Sequence, residues 1–151
     1  MSRKRIHQYF TGILALGIMG AGFGLAQTPT QPSSEYKPQF AGDPARSDSE
    51  AQALGYMRVV LRAQNQYKKR HGKYAESLEA LAGTASFTKR MAHTTDRGDY
   101  TASFRPHHEG FVLTLTPKHL DSEHRSFYAE EDGAIHADDQ KPADLDSPKV
   151  R

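Results

Sequence analysis

The chain has 151 residues, a length that suits one domain with extensions. It contains no cysteine, which excludes disulfide-stapled scaffolds, thiol catalysis and thiolate metal sites. Twenty Lys and Arg face 18 Asp and Glu, but residues 1–26 hold three of the cations and no acid. Without them 17 cations face 18 acids, so the charge balance gives no argument for a nucleic-acid partner.

The chain opens MSRKRIHQYFTGILALGIMGAGFGLAQ. Arg3, Lys4 and Arg5 precede an uncharged run from Tyr9 to Ala26, and Gly24-Leu25-Ala26 places small residues before Gln27. This is the pattern of a secretory signal peptide over 1–26, cut before Gln27. The other reading is a retained membrane anchor, since the run of 18 residues approaches the lower limit of about 17 for a spanning helix. Five glycines, Gly12, Gly17, Gly20, Gly22 and Gly24, weaken a helix and favour the signal. Both readings export the remainder, to the periplasm, the exterior or the outer side of the inner membrane.

Residues 27–46 are rich in proline and poor in apolar groups, and they read as an extended linker. The last residues, 140–151, read the same way, as a disordered tail. The expected folding unit is therefore 47–139.

Ser47-Asp48-Ser49-Glu50 is a capping-box sequence, with Ser and Glu three residues apart at a helix start. Ala53, Leu54, Met57, Val60, Leu61 and Tyr67 follow at steps of three and four, which predicts a helix over about 48–71. Lys68, Lys69 and Arg70 complement the dipole at its end, and Gly72 is the natural stop. Tyr74, Leu78 and Leu81, before Gly83, predict a second, short helix. Residues 84–97 show no period and read as a loop.

From Gly98 the period becomes two. Tyr100, Ala102 and Phe104 form the inward set of one strand, and Phe111, Leu113 and Leu115 that of the next. Pro106 to Gly110 connects them, and Pro117 ends the second strand. Ser126-Phe127-Tyr128 and Ala134-Ile135-His136 read as two further strands around a short turn at Asp132-Gly133. The predicted class is α+β: one long helix and a short one, packed on a three- to four-stranded antiparallel sheet.

Chemistry is sparse. The acids Glu130, Glu131, Asp132 and Asp138 make the hairpin tip a candidate calcium site, although they lack the alternating acids and central glycine of an EF-hand loop. The bland reading is a solvated turn. The histidines, His7, His71, His93, His107, His108, His119, His124 and His136, include no HExxH pair and read as solvated loop residues. The run from Lys68 to Lys73 has Tyr67 and Tyr74 beside it, an arrangement that would suit phosphate and base stacking, but the helix dipole already accounts for it. There is no GxSxG elbow, and Ser103 and Ser126 sit in regular strands, so an enzyme is not expected.

LRAQNQYKKRHGKYAESLEAL resembles the soluble part of type IV pilin-like and type II secretion pseudopilin-like proteins. The matching positions are Ala63, Tyr67, Gly72, Tyr74, Ser77, Leu78 and Leu81, then Gly98, Tyr100, Phe104, Phe111, Pro117, Arg125, Phe127, Tyr128, Gly133 and Ile135. The resemblance covers about residues 51–137. It does not reach the N-terminus, where Tyr9-Phe10-Thr11-Gly12 lacks the prepilin order and no glutamate follows. It implies a helix laid across an antiparallel sheet, and a role in assembly or interaction with a protein or cell-envelope partner, linked to a secretion or pilus system. The alternatives are a periplasmic ligand- or calcium-binding module that uses residues 130–139, and a small hydrolase.

Overall fold

The computed structural model describes residues 36–150. The expected signal or anchor, 1–26, and the first part of the linker, 27–35, lie outside the described residues. In chain order the elements are α1 (Asp48–His71), a 3-10 turn (Glu79–Leu81), α2 (Lys89–Ala92), β1 (Asp96–Arg97), β2 (Tyr100–Pro106), β3 (Phe111–Pro117), β4 (Ser126–Ala129) and β5 (Ile135–Asp138).

Both ends of α1 follow from local chemistry. Ser47 is extended, and its hydroxyl accepts the Glu50 N–H. Gly72 takes a φ of 76° and donates its N–H to the Lys68 carbonyl. The capping box is only half made, because Glu50 does not return to the Ser47 N–H. Its Oε2 accepts the Arg46 N–H at 2.8 Å, and the carboxylate otherwise binds Arg125.

The sheet is antiparallel in the order β1-β2-β3-β4-β5. β2 and β3 pair over seven residues, from Tyr100↔Pro117 to Pro106↔Phe111. Leu115 pairs with Phe127, and Phe127 with Ala137, so the buried set crosses the sheet in register. Against it α1 buries Leu54, Met57 and Val60, all at 0% exposure. Burial of each such side chain contributes about 1.5–3 kcal/mol. Tyr128 pairs with His136 one residue off that set, on the opposite face of the sheet.

The described residues thus form an α+β unit with a helix on a five-stranded antiparallel sheet, rather than one of three or four strands. The additional strand is β1, which lies in the segment 84–97 expected to be a loop. Two residues are too few to show an alternation. The same segment holds α2, started by the Thr88 hydroxyl on the Met91 N–H. The expected short helix is reduced to one 3-10 turn, because the chain before it is held by α1. The Gln64 amide accepts the Ala75 N–H at 2.9 Å and donates to the Ala75 carbonyl at 3.1 Å. The turn at Asp132-Gly133 is also longer than a two-residue loop. It spans 130–134, with Gly133 at φ 77° and the Asp132 carboxylate accepting the Ala134 N–H.

Residues 140–150 are folded onto the sheet, not extended from it. Asp138 Oδ1 accepts the N–H groups of Gln140 and Lys141, and the Ser126 hydroxyl accepts that of Ala143 at 2.7 Å. The chain then runs beside β5: Ala137 donates to the Pro148 carbonyl and Val150 to the Ile135 carbonyl. Composition hides this, because the segment is held by hydrogen bonds to side chains and backbone and not by apolar bulk. Likewise Ala45, in the expected linker, is buried, and Asp43 gathers Tyr36 Oη–H and the N–H groups of Gln39 and Ala45.

Candidate interaction cleft

α1 carries acids only at Asp48 and Glu50. Downstream it holds Arg58, Arg62, Lys68, Lys69 and Arg70. Arg58 and Arg62 are four residues apart and share one side of the helix. That side forms one wall of a cleft of about 470 Å3. The turn Gly133–Ala134 and the end of the chain, Lys149 and Val150, form the opposite wall. Leu61, Ile135 and Val150 give it apolar surface, and Asn65 adds an amide.

The cleft is positive. Neither Arg58 nor Arg62 takes part in the ion pairs found among the described residues. The Arg58 guanidinium lies 5.9 Å over the ring of Phe40, which is 52% exposed. Lys149 has one distant carboxylate, Asp132 at 3.9 Å. Arginine planes beside apolar surface suit a ligand that carries carboxylate or phosphate and some apolar bulk.

The acids of the β4–β5 hairpin are engaged separately. Glu130 accepts the Tyr128 hydroxyl, and desolvation together with that bond pushes the phenol up to about 12. Glu131 sits over Gly110, where a Cβ would lie 2.3 Å from its Oε2, and the same oxygen is 3.6 Å from His107 Nε2. Asp132 caps its own turn. Asp138 holds the start of the C-terminal segment, and the N–H of Gln140 keeps its carboxyl below the ordinary carboxylate value. Among the described residues no three such groups stand together as a metal-binding group. Glu130, Glu131, Asp132 and Asp138, the candidate calcium set, each stand against a different group.

No protein-family model, curated protein or solved structure matches this chain. The site is therefore read from its own geometry.

The basic run at the end of α1 is divided among neighbours. Lys68 lies 4.3 Å from the centre of the Tyr74 ring, and Lys73 pairs with Glu76 at 2.8 Å. With His107 and His108 they line a second cleft of about 250 Å3. Ser126 is buried and holds the C-terminal segment, while Ser103 is exposed. His136 is not a solvated loop histidine. It is 4% exposed, and its Nδ1 donates to the Ser147 carbonyl at 2.6 Å.

Sequence reasoning missed two groupings. Arg58 and Arg62 are visible as an i, i+4 pair, but nothing local links them to Lys149. His119 and His124 meet Asp99 and Asp121 in a third pocket of about 330 Å3. His119, Asp121, Glu123 and His124 within six residues were the available signal, and Asp99 enters only through the sheet.

Proposed function

We propose that this chain is an exported, non-catalytic interaction domain that binds an acid-bearing protein or cell-envelope partner in the cleft between α1 and the C-terminal segment. The carrying observation is that Arg58 and Arg62 lack ion-pair partners within the described residues and stand beside Leu61, Ile135 and Val150. Charges left available next to apolar surface favour recognition by a complementary partner. The motifs shared with pilin-like and pseudopilin-like heads support the same role, as does a helix laid on an antiparallel sheet. The N-terminal signal pattern supports export.

Crosslinking in the native envelope, with wild type beside Arg58→Glu/Arg62→Glu, tests the reading. Wild type should capture a partner that the double variant loses, with loss also as salt is raised. Equal capture by the charge-reversed chain overturns the cleft as the binding site. The intact mass of the mature protein tests export: a start at Gln27 supports a freed domain, and a start at Met1 supports an anchored one.

A further inference from the structure

Cations border the α1 cleft from both walls, Arg58 and Arg62 on the helix and Lys149 on the C-terminal segment, and among the described residues no carboxylate lines it. Two acids stand near these cations, and both are engaged in turns. Asp43 accepts the Tyr36 hydroxyl and the N–H groups of Gln39 and Ala45. Those bonds hold its carboxyl below the ordinary value, with a smaller contribution from Arg58. Asp132 accepts the Ala134 N–H and stands 3.9 Å from Lys149. The cations therefore outnumber the acids set against them, and a phosphate placed between the two walls meets donors from each.

Phe40 extends this surface. Its ring is exposed beside the Arg58 guanidinium, and Lys37 is exposed three residues before it. An exposed aromatic ring flanked by cations suits a lipid headgroup layer, where phosphates meet the cations and the ring enters the apolar boundary. Within the cleft, Leu61, Ile135 and Val150 put apolar surface beside the same cations. A phospholipid offers both halves in one molecule, a phosphate next to its acyl chains. An extended peptide is served less well. On β5, which borders the cleft at Ile135, the Ile135 carbonyl and the Ala137 N–H are already taken by Val150 and Pro148. From Ala26 to Tyr36 the chain can span at most about 36 Å, so a chain that keeps 1–26 as an anchor holds Phe40 and the cleft within reach of the bilayer surface.

On the reading of this cleft as the binding site, we propose that its partner is an anionic phospholipid surface: a phosphate headgroup enters between Arg58, Arg62 and Lys149, and Phe40 enters the bilayer interface. The chain has no tryptophan, so Phe40→Trp supplies a single fluorescent reporter on an exposed side chain. The full-length variant is mixed with vesicles of phosphatidylglycerol or of phosphatidylcholine, with and without bromine on the acyl chains as quencher. Emission should shift to the blue and be quenched on phosphatidylglycerol, with neither change on phosphatidylcholine, and the shift should shrink as salt is raised. At about fivefold per cation, Arg58→Gln/Arg62→Gln in the same background should need about 30-fold more phosphatidylglycerol for half the shift, while far-UV circular dichroism stays unchanged. Equal emission on the two kinds of vesicle overturns the proposal, and so does an unchanged lipid requirement in the double variant. Capture of a protein that depends on the two arginines, without a shift on phosphatidylglycerol, overturns the lipid as partner and leaves the cleft as the binding site. Capture and shift that both ignore the two arginines overturn the cleft itself.

Discussion

Glu50, in the first turn of α1, and Arg125, at the entry to β4, form a bidentate ion pair across 75 residues of chain. Glu50 is fully buried, and its carboxylate also accepts the backbone N–H groups of Arg46 and Arg125. Arg125 reaches on to the Pro44 carbonyl at 2.7 Å. One pair thus ties together the segment before α1, the helix start and the sheet.

Removing one member leaves the other charge buried without its partner, at a cost of about 3–5 kcal/mol. Arg125→Ala is expected to lose stability of that order in urea unfolding. The double variant Glu50→Ala/Arg125→Ala should lose less than the sum of the two single changes, which the mutant cycle reads directly. Additive losses would mean that the two residues act separately.

Gln64 sets a second expectation. Its amide is fully buried and satisfies both the N–H and the C=O of Ala75. Gln64→Leu preserves apolar bulk but strands two backbone groups, each costing about 1–3 kcal/mol. The expected sign is a clear loss of stability, accompanied by faster amide exchange at Ala75. Unchanged exchange there would show that another group replaces the clamp.

Acid should loosen the C-terminal segment before the core. The Asp138 carboxyl is held below its ordinary value of 3.8, chiefly by the Gln140 N–H, and Asp144 is held below 3.8 chiefly by Lys141. A group depressed in the folded state contributes its full share above 3.8 and loses it as pH falls through the lowered folded value. Hydrogen exchange followed from pH 6 down to about 3 should therefore show residues 140–150 opening first. Asp138→Asn should remove most of that pH dependence. Simultaneous opening of β3 and the tail would contradict this.

The parts of the fold that were legible rest on local patterns. Ser47 and Gly72 mark the ends of α1, and alternation from Tyr100 and from Phe111 marks β2 and β3. What was hidden depends on partners distant in sequence. Glu50 reads as a capping residue, and nothing near it announces Arg125. Tyr74 and Leu78 have helical spacing, but Gln64 holds Ala75 by its backbone. The C-terminal segment looks like a linker because its order comes from Asp138, Ser126 and the open edge of β5. Of the cleft, the two arginines were readable on one helix, while Lys149 and Ile135 reach it only through that same edge.

The backbone alongside β5 has a further consequence. Pro148 and Val150 take up hydrogen-bonding groups of Ala137 and Ile135 that would otherwise invite a foreign strand. At the other margin β1 covers only the start of β2, and the uncovered stretch 103–106 carries Arg105 and ends at Pro106, which has no N–H to offer. The sheet is blunted on both sides by the chain itself. Growth of the sheet from one molecule to the next is thereby discouraged, and neighbours are left to meet this domain through its side chains.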